Sequence, residues 1–193
     1  AWRDRRTASD VAGKSALIMG FGRIGQRVGA LCRALGLRVA AFDPYMERSP
    51  VEGVEMVKDF RAILPETDFL CLHLPSTPET RDLIGAGELA LLKRGAFVLN
   101  CARGGIVDED VLCDALESGH LGGAGLDVFA KEPPDTAHRL FRQEKVLLSP
   151  HNAALTEECA IRMATQAVQN VLDCLDGKLQ PRVVMNRREI GMA

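Results

Sequence analysis

The stretch Gly20-Phe21-Gly22-Arg23-Ile24-Gly25 decides the fold of this 193-residue chain, because of what lies on either side of it. An apolar run, Ala16-Leu17-Ile18-Met19, leads directly into it, and a helix-like segment follows from Ile24 to Leu35. A second apolar run, Arg38 to Phe42, then ends at Asp43. This order of strand, glycine turn, helix, strand and acid is typical of a dinucleotide-binding fold. A purely structural glycine turn is the alternative, which the flanking strands and the acid disfavour.

Each glycine of the turn has its own physical role in such a fold. Gly20 permits the tight turn, Gly22 lets the backbone approach the pyrophosphate, and Gly25 allows the helix and the strand to pack closely. The N-terminus of the helix offers free N–H groups and a partial positive charge to the phosphates. Asp43 can accept hydrogen bonds from the ribose hydroxyls and would repel a 2′-phosphate, so we predict NAD rather than NADP as the cofactor.

The composition bounds the class of protein. With 47% hydrophobic and 26% charged residues the chain is typical of a globular protein. A formal net charge of −2 without a sustained basic run disfavours nucleic acid as a partner. No apolar segment approaches the ~20 residues that span a bilayer, and the first residues lack an apolar leader. We therefore expect a cytoplasmic protein with no membrane partner.

The cysteines follow no metal-binding or disulfide pattern. They lie at positions Cys32, Cys71, Cys101, Cys113, Cys159 and Cys174. Without a CxxC pair or a cluster with histidine, free thiols in a reducing compartment are favoured over disulfides or a metal site, and we predict no bound metal.

Alternating strand and helix patterns continue through the rest of the chain. Further strands are predicted at Phe69–Leu72, Phe97–Asn100, Gly123–Val128 and Val146–Leu148. Helices are predicted at Asp59–Leu64, Gly87–Lys93, Asp108–Ser118 and Thr156–Leu175. This alternation predicts an α/β protein of the Rossmann type, a doubly wound parallel sheet with helices on both faces. In such sheets ligands bind beyond the carboxyl ends of the strands.

Three polar residues lie just after predicted strands, at that edge of the sheet. Arg103 follows Phe97–Asn100, Glu132 lies beyond the strand that contains Asp127, and His151 follows Val146–Leu148. Taken singly, these side chains are typical of a surface ion pair, a solvated loop acid and a satisfied polar residue. Together, after consecutive strands of a nucleotide-binding sheet, they predict an active site.

At this point the chain closely resembles the D-isomer-specific 2-hydroxyacid dehydrogenase family, from about Gly13 to Asn186. The motifs that carry the resemblance are the glycine turn with Asp43, His73-Leu74-Pro75 with Thr77 and Thr80, Leu99 to Asp108 around Ala102-Arg103-Gly104-Gly105, Gly125 to Phe129 with Glu132-Pro133, and Ser149-Pro150-His151. Several spaced motifs in the right order make the resemblance specific.

The resemblance implies a role for each of the three polar residues. The family's arginine, matching Arg103, grips the carboxylate and carbonyl of the substrate, which suits a planar bidentate cation. Its histidine, matching His151, gives a proton to the keto oxygen during reduction and takes one during oxidation. Its glutamate, matching Glu132, hydrogen-bonds that imidazole and raises its pKa.

The resemblance also implies which residues contact NAD. Arg23 and Ile24 lie over the pyrophosphate, Pro75 lines the adenosine side, Cys101 and Ala102 line the nicotinamide pocket, and Asp127 contacts the nicotinamide end. The remaining predicted contacts are Gly20, Gly22, Gly25, Asp43, Leu74, Thr80, Arg103, His151 and Ala153.

Two departures from the family pattern stand out. Where many members have glycine soon after the histidine, this chain has His151-Asn152-Ala153-Ala154. Family members also carry a substrate-binding domain, built mainly from residues before the nucleotide-binding domain, and most of it is absent from this chain. We expect residues 1–10, with Trp2-Arg3-Asp4-Arg5-Arg6, to be the crossover from that domain. We expect residues 11–178 to form the NAD-binding domain and 179–193 to begin the return.

Two hypotheses of function follow. The first is an NAD-dependent oxidoreductase that interconverts a small D-2-hydroxy acid and its 2-keto acid; phosphoglycerate, glyoxylate or hydroxypyruvate, and lactate-type substrates all stay open. Glu132 disfavours the formate-specific relatives, which have glutamine there. The second is a NAD-sensing corepressor of the C-terminal-binding-protein type, which shares these motifs. The resemblance also implies a homodimer, because family members pair through this domain. The helix Thr156–Leu175 carries an apolar stripe broader than one buried face needs, although packing against the sheet alone is the alternative.

Overall fold

The fold is described from a computed structural model, over residues 8–187 and 189–191. Seven parallel strands form one sheet in this part of the chain. They are β1 (Ser15–Met19), β2 (Arg38–Phe42), β3 (Val54–Met56), β4 (Phe69–Leu72), β5 (Phe97–Asn100), β6 (Gly123–Leu126) and β7 (Val146–Leu148). Their spatial order is β3-β2-β1-β4-β5-β6-β7, so the winding reverses between β1 and β4. This confirms the predicted doubly wound Rossmann sheet.

The four α-helices of the described residues correspond to predicted helices. They are α1 (Arg23–Ala34), α2 (Ala86–Leu91), α3 (Glu109–Glu117) and α4 (Glu157–Leu175), with short 3₁₀ turns at Leu64–Glu66, Arg139–Arg142 and Pro181–Val183. The start of α3 shows why the sequence folds as it does. The Asp108 carboxylate accepts hydrogen bonds from the backbone N–H of Asp110 and Val111, and Gly119 follows the helix with a φ of 69°.

One predicted element is wrong and one was missed. Asp59–Leu64 forms turns rather than a helix, because the Asp59 carboxylate accepts from the N–H of Arg61 and closes a local turn instead. The strand β3 was not predicted, since three residues are too short for an alternating pattern to be recognised.

Alternating side chains of β1 enter two separate cores. Leu17 and Met19 join a large core with residues of α2 and α3, whereas Ala16 and Ile18 join a smaller core against α1. The sheet therefore carries helices on both faces, as predicted. With β1 buried on both sides, its carboxyl end and the glycine turn beyond it have a rigid support.

The residue contacts divide the chain into two compact units, the first ending at His151 and the second beginning at Asn152. The second unit contains α4, whose N-cap Thr156 accepts from the N–H of Cys159. The expected boundaries at residues 10 and 178 remain predictions, and the crossover segment Trp2–Arg6 lies outside the described residues.

Two further properties of the described residues bear on the class of protein. None of their helices is both long enough and apolar enough to cross a membrane. The six cysteines are free thiols, with Cys71 and Cys113 buried.

Candidate functional site

The glycine turn between β1 and α1 admits no side chain at two of its positions. Gly20 has a φ of 85°, and a Cβ there would lie 2.6 Å from the carbonyl oxygen of His73. A Cβ on Gly25 would lie 2.1 Å from the carbonyl oxygen of Gly20. A Cβ on Gly22, in contrast, would meet no atom within 4 Å, so this point of the turn faces open space. A ligand can therefore approach the backbone at Gly22.

The N-terminus of α1 has the properties of an anion site. Its N-cap Gly22 supplies no side-chain hydrogen bond, and its first turn contains no acidic residue. Ile24 in that turn is 67% exposed. The first N–H groups of the helix and the positive end of its dipole therefore face the open side of the glycine turn, where a phosphate would be stabilised.

Asp43, at the end of β2, is held by the glycine turn itself. One carboxylate oxygen accepts from the N–H of Phe21 at 2.8 Å, and the other accepts from the N–H of Tyr45 at 3.0 Å. Each oxygen keeps a further lone pair for a ribose hydroxyl. The sequence predicted Asp43 as a ribose acceptor, and the structure adds that it braces the turn that would hold the pyrophosphate.

The loop after β4 is shaped by Thr80. Its hydroxyl donates to the carbonyl of Pro75 at 2.7 Å and accepts from the N–H of Thr77 at 2.8 Å. Leu74 is buried in the larger core and lies beside Gly20. The sequence predicted Leu74, Pro75 and Thr80 as cofactor contacts; here Thr80 and Leu74 hold the loop and the glycine turn in shape.

Arg103 lies in a loop that the side chain of Asn100 stabilises with two hydrogen bonds. Asn100, 2% exposed at the end of β5, accepts from the N–H of Ala102 and donates to the carbonyl of Arg103. The Arg103 guanidinium donates to the Ala102 carbonyl at 2.6 Å. No ion pair joins Arg103 to an acid within the described residues. The neighbouring Cys101 is exposed at the surface of the loop, and partial burial of its thiol raises its pKa.

The Arg103 loop is in backbone contact with the loop that follows β6. A Cβ on Gly104 would lie 1.7 Å from the carbonyl oxygen of Phe129, so only glycine fits there. The contact joins two loops whose strands, β5 and β6, are neighbours in the sheet. Arg103 and the acid in the second loop are thereby held in a fixed relation.

Glu132 and His151 form a hydrogen-bonded pair. A Glu132 carboxylate oxygen lies 2.7 Å from Nδ1 of His151, and the other accepts from the N–H of Phe129 at 3.0 Å. These two hydrogen bonds, the one with His151 first, hold the pKa of Glu132 below its usual value. His151 has a φ of 54°, a strained backbone conformation for a residue with a side chain.

Asp127 is the most deeply buried acid of the site. It is 3% exposed at the end of β6, and it accepts a 2.5 Å hydrogen bond from the hydroxyl of Ser149, after β7. Ala153, the remaining predicted contact, belongs to the second compact unit, which begins at Asn152. Asn100 and Ser149 were not predicted as site residues, although each is a polar residue at the end of an apolar strand.

A cavity of about 400 Å³ opens beside the Glu132–His151 pair. Its walls are mainly apolar and include Phe129, Phe141 and Leu148. The cavity therefore offers apolar surface directly beside the two polar side chains of the pair.

The three polar residues follow β5, β6 and β7, which are adjacent parallel strands and end at the same edge of the sheet. On the other side of β4, the glycine turn follows β1 and Asp43 follows β2. Fold and site together define a dinucleotide-binding protein of the Rossmann class. A family model described as "D-isomer specific 2-hydroxyacid dehydrogenase, NAD binding domain" matches residues 1–153, and the chain belongs to this family.

Known proteins similar to the chain include both curated relatives and solved structures. It is 39% identical to a D-3-phosphoglycerate dehydrogenase from Methanocaldococcus jannaschii, over 94% of this chain and 35% of that protein. The crystal structure of the TT0316 protein from Thermus thermophilus superimposes with a TM-score of 0.85 at 37% identity, covering 94% of this chain and 57% of that one. A D-lactate dehydrogenase from Aquifex aeolicus, complexed with NAD and lactic acid, gives 0.83 at 28% identity, with coverages of 92% and 58%. The chain thus spans about a third of the curated relative and somewhat more than half of the solved structures.

The residues present fit NAD as the cofactor. Gly22 faces open space, the N-terminus of α1 has no side-chain cap, and Asp43 stands at the end of β2 with acceptors available. Among the described residues no three histidine, cysteine or acidic side chains come together as metal ligands.

Proposed function

We propose that this chain is the cofactor-binding part of an NAD-dependent oxidoreductase that interconverts a small D-2-hydroxy acid and its 2-keto acid. The observation that carries the proposal is the Glu132–His151 pair, with Nδ1 and Oε2 2.7 Å apart, at the same sheet edge as the Arg103 loop. An acid/base group and a cation at the nicotinamide side of an NAD-binding sheet are what reduction of a keto acid requires.

On this proposal Arg103 binds the substrate and orients it. Its guanidinium can form two parallel hydrogen bonds to the substrate carboxylate, which fixes the carbonyl relative to the protein. Asn100 supports this by holding the N–H of Ala102 and the carbonyl of Arg103, so that the arginine is carried by a fixed piece of backbone.

His151 exchanges the proton. Since Nδ1 is engaged by Glu132, the other ring nitrogen is left to give a proton to the keto oxygen during reduction and to take one during oxidation. The nicotinamide, when bound, supplies or accepts the hydride. Glu132 stays ionised because its pKa is lowered, so it holds the ring in one orientation and stabilises the imidazolium that forms.

The substrate belongs to the small 2-hydroxy and 2-keto acids. The Methanocaldococcus jannaschii relative is named for 3-phosphoglycerate, and the Aquifex aeolicus structure holds lactic acid, so both remain candidates for this chain. Because these proteins are named as dehydrogenases, they favour the enzyme over the corepressor hypothesis. We further propose a homodimer and a cytoplasmic location, and sedimentation at micromolar concentration tests the dimer.

The decisive experiment uses a protein in which this chain is joined to a substrate-binding domain. It should oxidise NADH with at least one 2-keto acid of a panel and release the D-2-hydroxy acid. His151→Ala should lower turnover by ~10²–10⁴-fold, because the proton transfer is lost, while NAD still binds through the glycine turn and Asp43. If no 2-keto acid is reduced, or if His151→Ala turns over like the parent, the proposal is wrong.

A further inference from the structure

The acid Glu109, in the first turn of α3, makes a contact outside its own helix. One carboxylate oxygen accepts a 2.6 Å hydrogen bond from the backbone N–H of Ala130, in the loop after β6. An acid at this position ordinarily stabilises only the N-terminus of its helix. Here it also holds the loop that carries Glu132, which lies two residues further along.

The loop segment Phe129–Ala130 is held from three directions. The N–H of Ala130 donates to Glu109, and the N–H of Phe129 donates to Glu132 at 3.0 Å. The carbonyl of Phe129 lies against the backbone of Gly104. Removing the hydrogen bond to Glu109 takes away the one of these three supports that comes from a helix.

The helix that carries Glu109 is a rigid base. Leu112, Cys113 and Leu116 of α3 are buried in the larger core, and Asp108 caps the helix with two hydrogen bonds. The adjacent Val107 is buried as well. Glu109 therefore transmits the position of a fixed helix to a loop whose own residues Ala130 and Glu132 are exposed.

We propose that Glu109 is a positioning residue for the acid/base pair: it fixes the loop so that Glu132 reaches Nδ1 of His151. The effect of Glu109 on turnover rests on the proposed function, whereas its effect on the hydrogen bond between Glu132 and His151 does not. Without the hydrogen bond to Ala130 the loop has more freedom, and Glu132 spends less time bonded to Phe129 and His151.

Two matched substitutions separate this role from a helix-dipole effect. Glu109→Asp keeps the negative charge in the first turn but shortens the side chain by one methylene, so the carboxylate no longer reaches Ala130. Glu109→Gln loses the charge but keeps an oxygen that can accept from the same N–H. A pure helix-dipole role would make Gln the damaging substitution, and the positioning role makes Asp the damaging one.

The carboxyl carbon of Glu132 in this 193-residue chain, followed by ¹³C NMR against pH, reports directly on the pair. Its pKa is lowered by the hydrogen bonds with His151 and Phe129, so it should rise toward its usual value in Glu109→Asp. In Glu109→Gln it should stay lowered. A Glu132 pKa that is unchanged in the Asp variant, or raised only in the Gln variant, would overturn the proposal. Should the Asp variant unfold, Glu109→Ala gives the same comparison.

Kinetics on a protein that also carries a substrate-binding domain extend the test. Glu109→Asp should lower kcat roughly tenfold, less than the loss of the acid/base group itself, with KM for NADH unchanged. Glu109→Gln should restore most of kcat. A fall in kcat that is equal in the two variants would overturn the positioning role. If the parent reduces no 2-keto acid, the proposed function fails, and the Glu132 titration still decides whether Glu109 positions the pair.

Discussion

Replacing Asp43 by alanine should damage the apo fold and the cofactor preference together, since its carboxylate braces the glycine turn and is proposed to accept from the ribose hydroxyls. In the free protein the substitution removes acceptors from the N–H groups of Phe21 and Tyr45, 2.8 and 3.0 Å away. Phe21 is fully buried, so its N–H is poorly placed to find water. A lost hydrogen bond to a charged group costs roughly 1.5–3 kcal/mol. Because Asp43 is only half-buried, we expect the low end of this range, about 1.5 kcal/mol of unfolding free energy.

The same substitution should weaken NAD binding further. Losing the charged acceptor for the ribose hydroxyls should cost about 1–3 kcal/mol, which is roughly 5- to 150-fold in affinity. NADP binding should fall less, because the repulsion of its 2′-phosphate is relieved at the same time. The ratio of the NAD and NADP dissociation constants should therefore move toward one.

Two measurements on the 193-residue chain check this reasoning. Urea denaturation without cofactor gives the free energy of unfolding, and calorimetry with NAD and with NADP gives the two affinities. Asp59→Ala is the control, because Asp59 closes a comparable turn, accepting from Arg61 at 3.0 Å, at a position that no cofactor contact was predicted for. An Asp43→Ala chain as stable as the parent would refute the bracing role, and an unchanged NAD/NADP ratio would refute the ribose role.

Three further predictions concern Gly104, Glu132 and a half-buried histidine. Gly104→Ala should cost at least ~1–3 kcal/mol of unfolding free energy, because its Cβ would lie 1.7 Å from the carbonyl oxygen of Phe129. The control Gly87→Ala, in open space within α2, should instead stabilise the protein by about 0.5–1 kcal/mol. Urea titrations of the two variants compare these free energies. Glu132, whose pKa is lowered, contributes stability that is present above its unfolded-state pKa and is lost as pH falls through the lowered value, so Glu132→Gln should flatten the stability profile at acidic pH. Burial lowers the pKa of His73, whose Nε2 has no partner among the described groups. The free energy of unfolding should therefore fall as pH drops below about 6.5, and His73→Asn should remove this loss. A parent equally stable at pH 7 and pH 5 would contradict the expected direction of the pH dependence.

Much of the fold could be predicted because its decisive signals are local. The glycine turn, the apolar runs beside it and the Asp108 cap of α3 depend on residues close in sequence. The short strand β3 could not be found this way, because it pairs with the edge of β2 over only three residues. The helix predicted at Asp59–Leu64 is wrong for a different reason. The Asp59 carboxylate accepts a hydrogen bond from the backbone N–H of Arg61, and this turn competes with helix formation.

The sequence proposes side chains for the candidate site, but it does not predict the contacts that support them. Arg103, Glu132 and His151 could be proposed because each follows a recognisable strand or motif, and their place at one edge of the sheet follows from the pairing of β5, β6 and β7. The contacts of Asp43 with Phe21, of Ser149 with Asp127 and of Glu109 with Ala130 join residues more than 20 positions apart. Such contacts depend on how the loops settle above the sheet, which local patterns do not encode.

The reversal of the winding between β1 and β4 places two groups of candidate site residues on separate halves of one sheet. The half with β1 and β2 carries the glycine turn and Asp43, the groups proposed to recognise the nucleotide. The half with β5, β6 and β7 carries Arg103 and the Glu132–His151 pair. Substitutions in separate neighbourhoods without shared partners act additively. On the proposed roles, substitutions around Asp43 should change the nucleotide preference of this sheet and leave the hydrogen bond between Glu132 and His151 unchanged.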